Sequence, residues 1–166
     1  MSRLSSTLRV LPLILAVLVF PSAQPGTPAE TRTDARWLPP VGTSVNPTAR
    51  FDLSNGPYGA GHRGIDFPAA SGDRVRAPTG GTVTFSGVVV DREVITVRAD
   101  SRTLVSMEPM RSEVNVGESV SAGMVIGEVS QGGHCGRECL HLGVRVNGQY
   151  VNPLRYFRSK PVLLPW

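Results

Sequence analysis

No stretch of this chain repeats its apolar residues every 3.6 positions for three turns, and that absence removes helical folds before anything else is weighed. In their place stand short runs rich in β-branched and apolar residues: Thr82–Phe85, Val88–Val90, Val94–Val97, Thr103–Met107, Met124–Val129 and Leu140–Val146. Several alternate apolar and polar residues at period two, as strands with one wet face do. Gly and Pro part the runs. The 166 residues include 18 Gly and 14 Pro, nearly one in five, against about 12% in average usage. The pattern predicts an all-β fold of antiparallel strands joined by tight turns, in a sandwich or barrel-like arrangement. The length predicts one domain.

The ends are of a different character. Arg3 and Arg9 open the chain, an apolar run follows from Val10 to Phe20, and small residues close it at Pro21-Ser22-Ala23. A helix rising about 1.5 Å per residue over that run covers only half of a ~30 Å hydrocarbon layer. Residues 1–23 therefore read as a signal peptide, with an uncleaved membrane anchor as the alternative, and the protein is expected outside the cytoplasm. Residues 24–36 (QPGTPAETRTDAR) have no apolar period and read as a flexible linker. The domain is expected over 37–157, with a tail at 158–166. The formal charge is +4, and removing the two leader arginines leaves 15 basic against 13 acidic residues, or +2. That is too little for a nucleic-acid partner, which would need a basic stripe interleaved with aromatics. A monomer is expected.

GDRVRAPTGG from Gly72 and GESVSAGMVI from Gly117 share the phrase G-acid-x-V-x-A at an offset of 45 residues. One copy is a turn and a strand, and two copies suggest duplication. The phrase resembles the turns of hybrid-motif β folds. Met107-Glu108-Pro109-Met110, ahead of the second copy, also resembles the hairpin of a biotinyl or lipoyl carrier. That hairpin needs a lysine, and the only one here is Lys160, far outside it.

Three histidines are available for chemistry: His62, His134 and His141. His62-Arg63-Gly64-Ile65-Asp66 is an H-x-G-x-D, whose spacing can bring an imidazole and a carboxylate to one point, and Cys139-Leu140-His141 would bring a second imidazole from another strand. Two His and one Asp leave the fourth position of a tetrahedral Zn²⁺ for water, the mark of a catalytic site. Such a water ionises near pH 7, where free water needs about 15.7. The competing interpretation makes both histidines ordinary turn and strand residues.

GHRGIDF and CLHLGVRVNGQYVNP together resemble the LytM/lysostaphin-type zinc endopeptidases, which cut cross-link or stem peptides in bacterial peptidoglycan. The family motifs are H-x-G-x-D and H-L-H-F-E-V-R-x-N-G-x-x-x-N-P, and the resemblance spans Trp37 to about Phe157. It implies a duplicated hybrid-motif fold, zinc held by His62, Asp66 and His141, and hydrolysis of peptidoglycan peptides. Several positions depart from the pattern, three of them at chemically important places. Cys139 stands for the first His of H-x-H, Pro109 for a second active-site His, and Gly143 for an acidic residue. The missing acid–base groups leave His134 and Glu108 as candidate substitutes. The alternative function is a member without catalysis that binds cell wall or regulates other cell-wall hydrolases.

Outside the cytoplasm Cys135 and Cys139 are expected to pair as a disulfide. A rival assignment makes His134, Cys135, Cys139 and His141 a structural zinc site. Tyr58 is expected in a groove wall and Trp37 in the core.

Overall fold

The computed structural model describes residues 36–56 and 59–158. The leader, nearly all of the linker, Tyr58 and the tail after Arg158 lie outside the described residues. In chain order the strands are β1 Ile65–Pro68, β2 Arg74–Arg76, β3 Gly81–Val89, β4 Arg92–Arg98, β5 Thr103–Glu108, β6 Met110–Ser112, β7 Ser119–Val120, β8 Val125–Val129, β9 Cys139–Val146 and β10 Gln149–Val151. A single turn of helix, α1 Leu154–Phe157, follows. Every pairing is antiparallel, as expected.

The larger sheet runs β1-β9-β5-β4-β3-β7, and β10 takes the part of the β9 edge that β1 leaves. A small sheet, β2-β8-β6, supplies the second layer. Period-two alternation decides which face is which. Leu140, Leu142 and Val144 of β9, Val105 and Met107 of β5, and Ile95 and Val97 of β4 point into one core with Val75, Met110 and Ile126 of the small sheet. The intervening residues of the same strands, among them His141, Gly143, Ser106 and Glu108, necessarily face the other way. The fold thus buries one face of its main sheet and leaves the opposite face for chemistry. Trp37 joins the core, stacked on Tyr156 with ring centroids 4.2 Å apart.

The sequence repeat is a structural one. Gly72 and Gly117 turn the chain alike, at φ 94° and 93°. Gly72 N–H donates to the Val129 carbonyl, while Val129 N–H donates to Asp73. In the second copy Gly117 N–H donates to Val83, and Val83 N–H donates to Glu118. Each copy therefore ties its turn into the other. β2 pairs with β8, and β7 pairs with β3.

Two sequence runs merge. Thr82–Phe85 and Val88–Val90 belong to one strand, β3, which a bulge between Val83 and Phe85 bends but does not break. Val90 ends that run in the hairpin turn, at φ 62°. Several strands are too short to carry a period of their own, such as β6 with three residues and β7 with two.

Candidate metal centre

Asp66 sits in the middle of β1, directly opposite His141 of β9, and His141 is opposite Glu108 of β5. Residues directly opposed across antiparallel strands share a face, so Asp66, His141 and Glu108 form one row across the polar side of the sheet. His62 reaches the same point from the approach to β1. The segment before it acts as a strap: Asp52 and His62 exchange backbone hydrogen bonds of 2.9 and 2.8 Å, and Thr48 and Ala49 bond to either side of Asp66. Gly64 is required by close approach. A methyl there would fall 2.5 Å from two atoms of the His141 ring and collide with the Leu142 carbonyl.

The donor atoms converge. His62 Nε2 lies 3.0 Å from Asp66 Oδ1 and 3.0 Å from His141 Nδ1, and His141 Nδ1 lies 2.8 Å from Asp66 Oδ1. His134 comes from a short 3₁₀ turn, Gly133–Cys135, and places Nε2 3.2 Å from both carboxylate oxygens. Ligand atoms of all four residues fall within 4.8 Å of one another. The rings do not stack. His134 stands at 82° to His62 and 83° to His141, so each offers an edge nitrogen to the common point. Asp66 is buried, with its side chain 7% exposed. Burial pushes its carboxyl pKa up, but hydrogen bonds from His141 and His134 and attraction by His141 and His62 outweigh this, and the net shift is downward.

The chemistry of this donor set fits a metal. His62 Nδ1 lies 2.8 Å from the Arg50 carbonyl, which only accepts, so Nδ1 carries the hydrogen. In the neutral ring Nε2 then presents a lone pair to the Asp66 carboxylate at 3.0 Å, acceptor against acceptor. A divalent cation bound between the two would relieve that contact. A ring nitrogen hydrogen-bonded to a backbone carbonyl is also the usual support of a metal-ligating histidine. Zinc bonds of about 2.0–2.1 Å put tetrahedral donors about 3.3 Å apart, close to the separations observed.

The sequence model of peptidase family M23 matches residues 60–153, from just before His62 to just beyond β10. The chain belongs to peptidase family M23. An uncharacterised protein of Mycobacterium tuberculosis H37Rv is 34% identical over 122 residues, 69% of this chain and 49% of that one. The M23 chain therefore spans about half the length of its mycobacterial relatives. The DD-carboxypeptidase/endopeptidase Mpg of Neisseria meningitidis is 33% identical over 109 residues, 61% of this chain and 24% of that one. Among solved structures, a mutant catalytic domain of the prophage-encoded M23 protein EnpA from Enterococcus faecalis superposes with a TM-score of 0.59 at 26% identity. It covers 72% of this chain and 97% of that one.

The remaining candidates fall as follows in this M23 chain. Cys139 and Cys135 form the expected disulfide. This removes both sulfurs as thiolate ligands and with them the rival His134–Cys135–Cys139–His141 site. Glu108 shares the row with His141 but lies outside the convergent group, its carboxylate 2.9 Å from Arg92 Nε. Gly143 is buried between the Arg63 carbonyl and the Tyr150 ring, and Arg145 lies over that ring at 5.7 Å. The Arg50 carbonyl and the strap at residues 48–52 had no sequence signal, because they act through backbone atoms. Arg92 had none either, since its link to Glu108 joins two neighbouring strands, β4 and β5.

Proposed function

We propose that this chain is an extracytoplasmic zinc endopeptidase that hydrolyses peptide bonds in bacterial peptidoglycan, with His62, Asp66 and His141 holding the metal. The observation that carries this reading is the convergence of ring nitrogens on the buried Asp66 carboxylate: His62 Nε2, which brings a lone pair, lies 3.0 Å from one oxygen and His141 Nδ1 lies 2.8 Å from the same oxygen. Family membership and the kinship to a DD-carboxypeptidase/endopeptidase support the substrate class. Zinc, when bound, supplies Lewis acidity and a nucleophilic water near neutral pH.

The protein's own residues do the rest. Asp66 stays anionic under burial because its neighbours hold it so, and the Arg50 carbonyl fixes the His62 tautomer. Opposite Gly143 on β5 stands Ser106, whose hydroxyl lies 2.9 Å from that of Thr96. Hydroxyls on that face offer hydrogen-bonding groups to a substrate peptide. His134 is the remaining imidazole able to accept or return a proton there, a role worth about 10²–10⁴-fold in rate.

Zinc content and release of soluble peptides from purified peptidoglycan test the reading in wild type and His141→Ala. One zinc per chain, with release lost in the mutant, is the expected result. Zinc-loaded wild type that releases nothing contradicts it. A second reading, a wall-binding or hydrolase-regulating member, draws support from the disulfide at Cys139 and the ion pair at Glu108, which occupy or adjoin the positions of the usual acid–base groups. Retained pelleting with peptidoglycan without peptide release selects that reading.

A further inference from the structure

We infer that His134 is a fourth protein donor to the same metal, so that the resting site is closed and the loop at residues 131–138 must lift His134 away before a substrate carbonyl can enter. The inference rests on reading the cluster as a metal centre and adds a ligand to it. His134 Nε2 is equidistant, at 3.2 Å, from both Asp66 oxygens, and its ring stands nearly perpendicular to the other two imidazoles. A histidine serving only as an exposed loop residue has no reason to converge with three ligands in this way. Its side chain is 49% exposed, so burial alone did not drive it there.

The loop is built to hold this position and to release it. Cys135 is bonded to Cys139, the first residue of β9, which anchors one side of the turn to the strand that carries His141. On the other side Asp91, at the tip of the β3–β4 hairpin, accepts a hydrogen bond of 3.2 Å from Gly133 N–H. Gly133 packs so closely that a methyl would meet the Arg92 side chain at 2.5 Å. Arg92 in turn pairs with Glu108 beside His141. The anchor on the hairpin side is one exposed hydrogen bond together with packing of Gly133 on Arg92, while the other is covalent. The turn can therefore swing about Cys135 without leaving the site. Structural zinc sites are closed by four protein ligands, and catalytic ones keep a position open. A donor on a hinged loop lets one site be both.

Zinc affinity, read by competition with a chromophoric chelator, and the visible spectrum of the cobalt-substituted protein test this without recourse to activity. In His134→Ala zinc affinity should fall about 10-fold or more, and the cobalt absorption should weaken as a protein donor is lost. Asp91→Ala, at an exposed tip where folding is safe, frees the loop with every donor intact and should lower affinity about 2–5-fold, the worth of one hydrogen bond. Equal affinity and an unchanged cobalt spectrum in wild type and both variants overturn the inference while leaving the peptidase reading intact. A wild type that binds no zinc overturns both. Zinc affinity that depends on His134, in a protein that releases no peptide, upholds the inference and sinks the peptidase reading alone.

Discussion

His141 and His134 both aim a nitrogen at Asp66, and they get there by opposite means. His141 is placed by the sheet: its strand is paired on both sides, and the residues flanking it, Leu140 and Leu142, are fully buried. To move it would require pulling two core side chains into water. His134 is placed by a disulfide and by one hydrogen bond from a hairpin tip, with half its surface in solvent. A metal site that held its ion and still admitted a substrate would be served by that division, because the fixed donors would hold the metal alone while the tethered one would add affinity and govern access.

The largest effect should come from the residue both histidines share. Asp66→Asn keeps the shape and removes the charge that draws the donors together. Zinc content measured by elemental analysis should fall to near zero, and peptide release should fall about 10³-fold or more, since several kcal/mol of charge stabilisation go with the metal. Gly64→Ala attacks only the sheet-placed donor, by forcing a methyl against the His141 ring. Urea unfolding should show a loss of about 1–3 kcal/mol, the usual cost of overpacking, together with weakened zinc binding. A cluster that tolerated this methyl would show that His141 is less fixed than its strand pairing implies.

Replacing both cysteines with alanine attacks the tethered donor instead. Closing a loop of about five residues contributes only ~2 kcal/mol through chain entropy, so the domain should stay folded and keep one zinc on its three sheet-side donors. Loss of zinc altogether would place the loop, and not the sheet, in command of the site. The gentlest comparison is by hydrogen exchange of the native protein. Amides of residues 140–144 should exchange only with global unfolding, and those of 131–138 about 10²-fold faster or more through local opening. Equal protection would erase the distinction between the two histidines.

The parts of the site that the sequence made legible are those whose spacing is fixed by local geometry. H-x-G-x-D spans one approach to a strand, and Cys139-Leu140-His141 carries the alternation that turns His141 away from the core. His134 drew notice as the one histidine left over, but nothing in its Gly-rich surroundings could say that a hairpin 42 residues earlier would pin the loop down. Glu108 was legible only as a carboxylate near a vacated position. Its partner Arg92 lies on a neighbouring strand and is invisible to any local pattern. The fold class came through because strand alternation is a local signal. β6 and β7 did not, since three and two residues hold no period, and they exist only because β8 and β3 offer them edges.

The crossed pairing of the two copies has a consequence for how this chain reaches its native state. β2 waits for β8, about 50 residues downstream, and β3 waits for β7, so neither copy can complete its own sheet. Contacts of such long reach close slowly, because the entropy of bringing distant segments together is lost before any pairing rewards it. Until the second copy has been made, the first exposes unpaired strand edges, the kind of surface that invites other chains to add themselves. The same crossing then locks the domain. Once β2 and β7 have traded places, loosening either copy means unpairing both, and the polar face that carries the histidines rests on a frame that yields only as a whole.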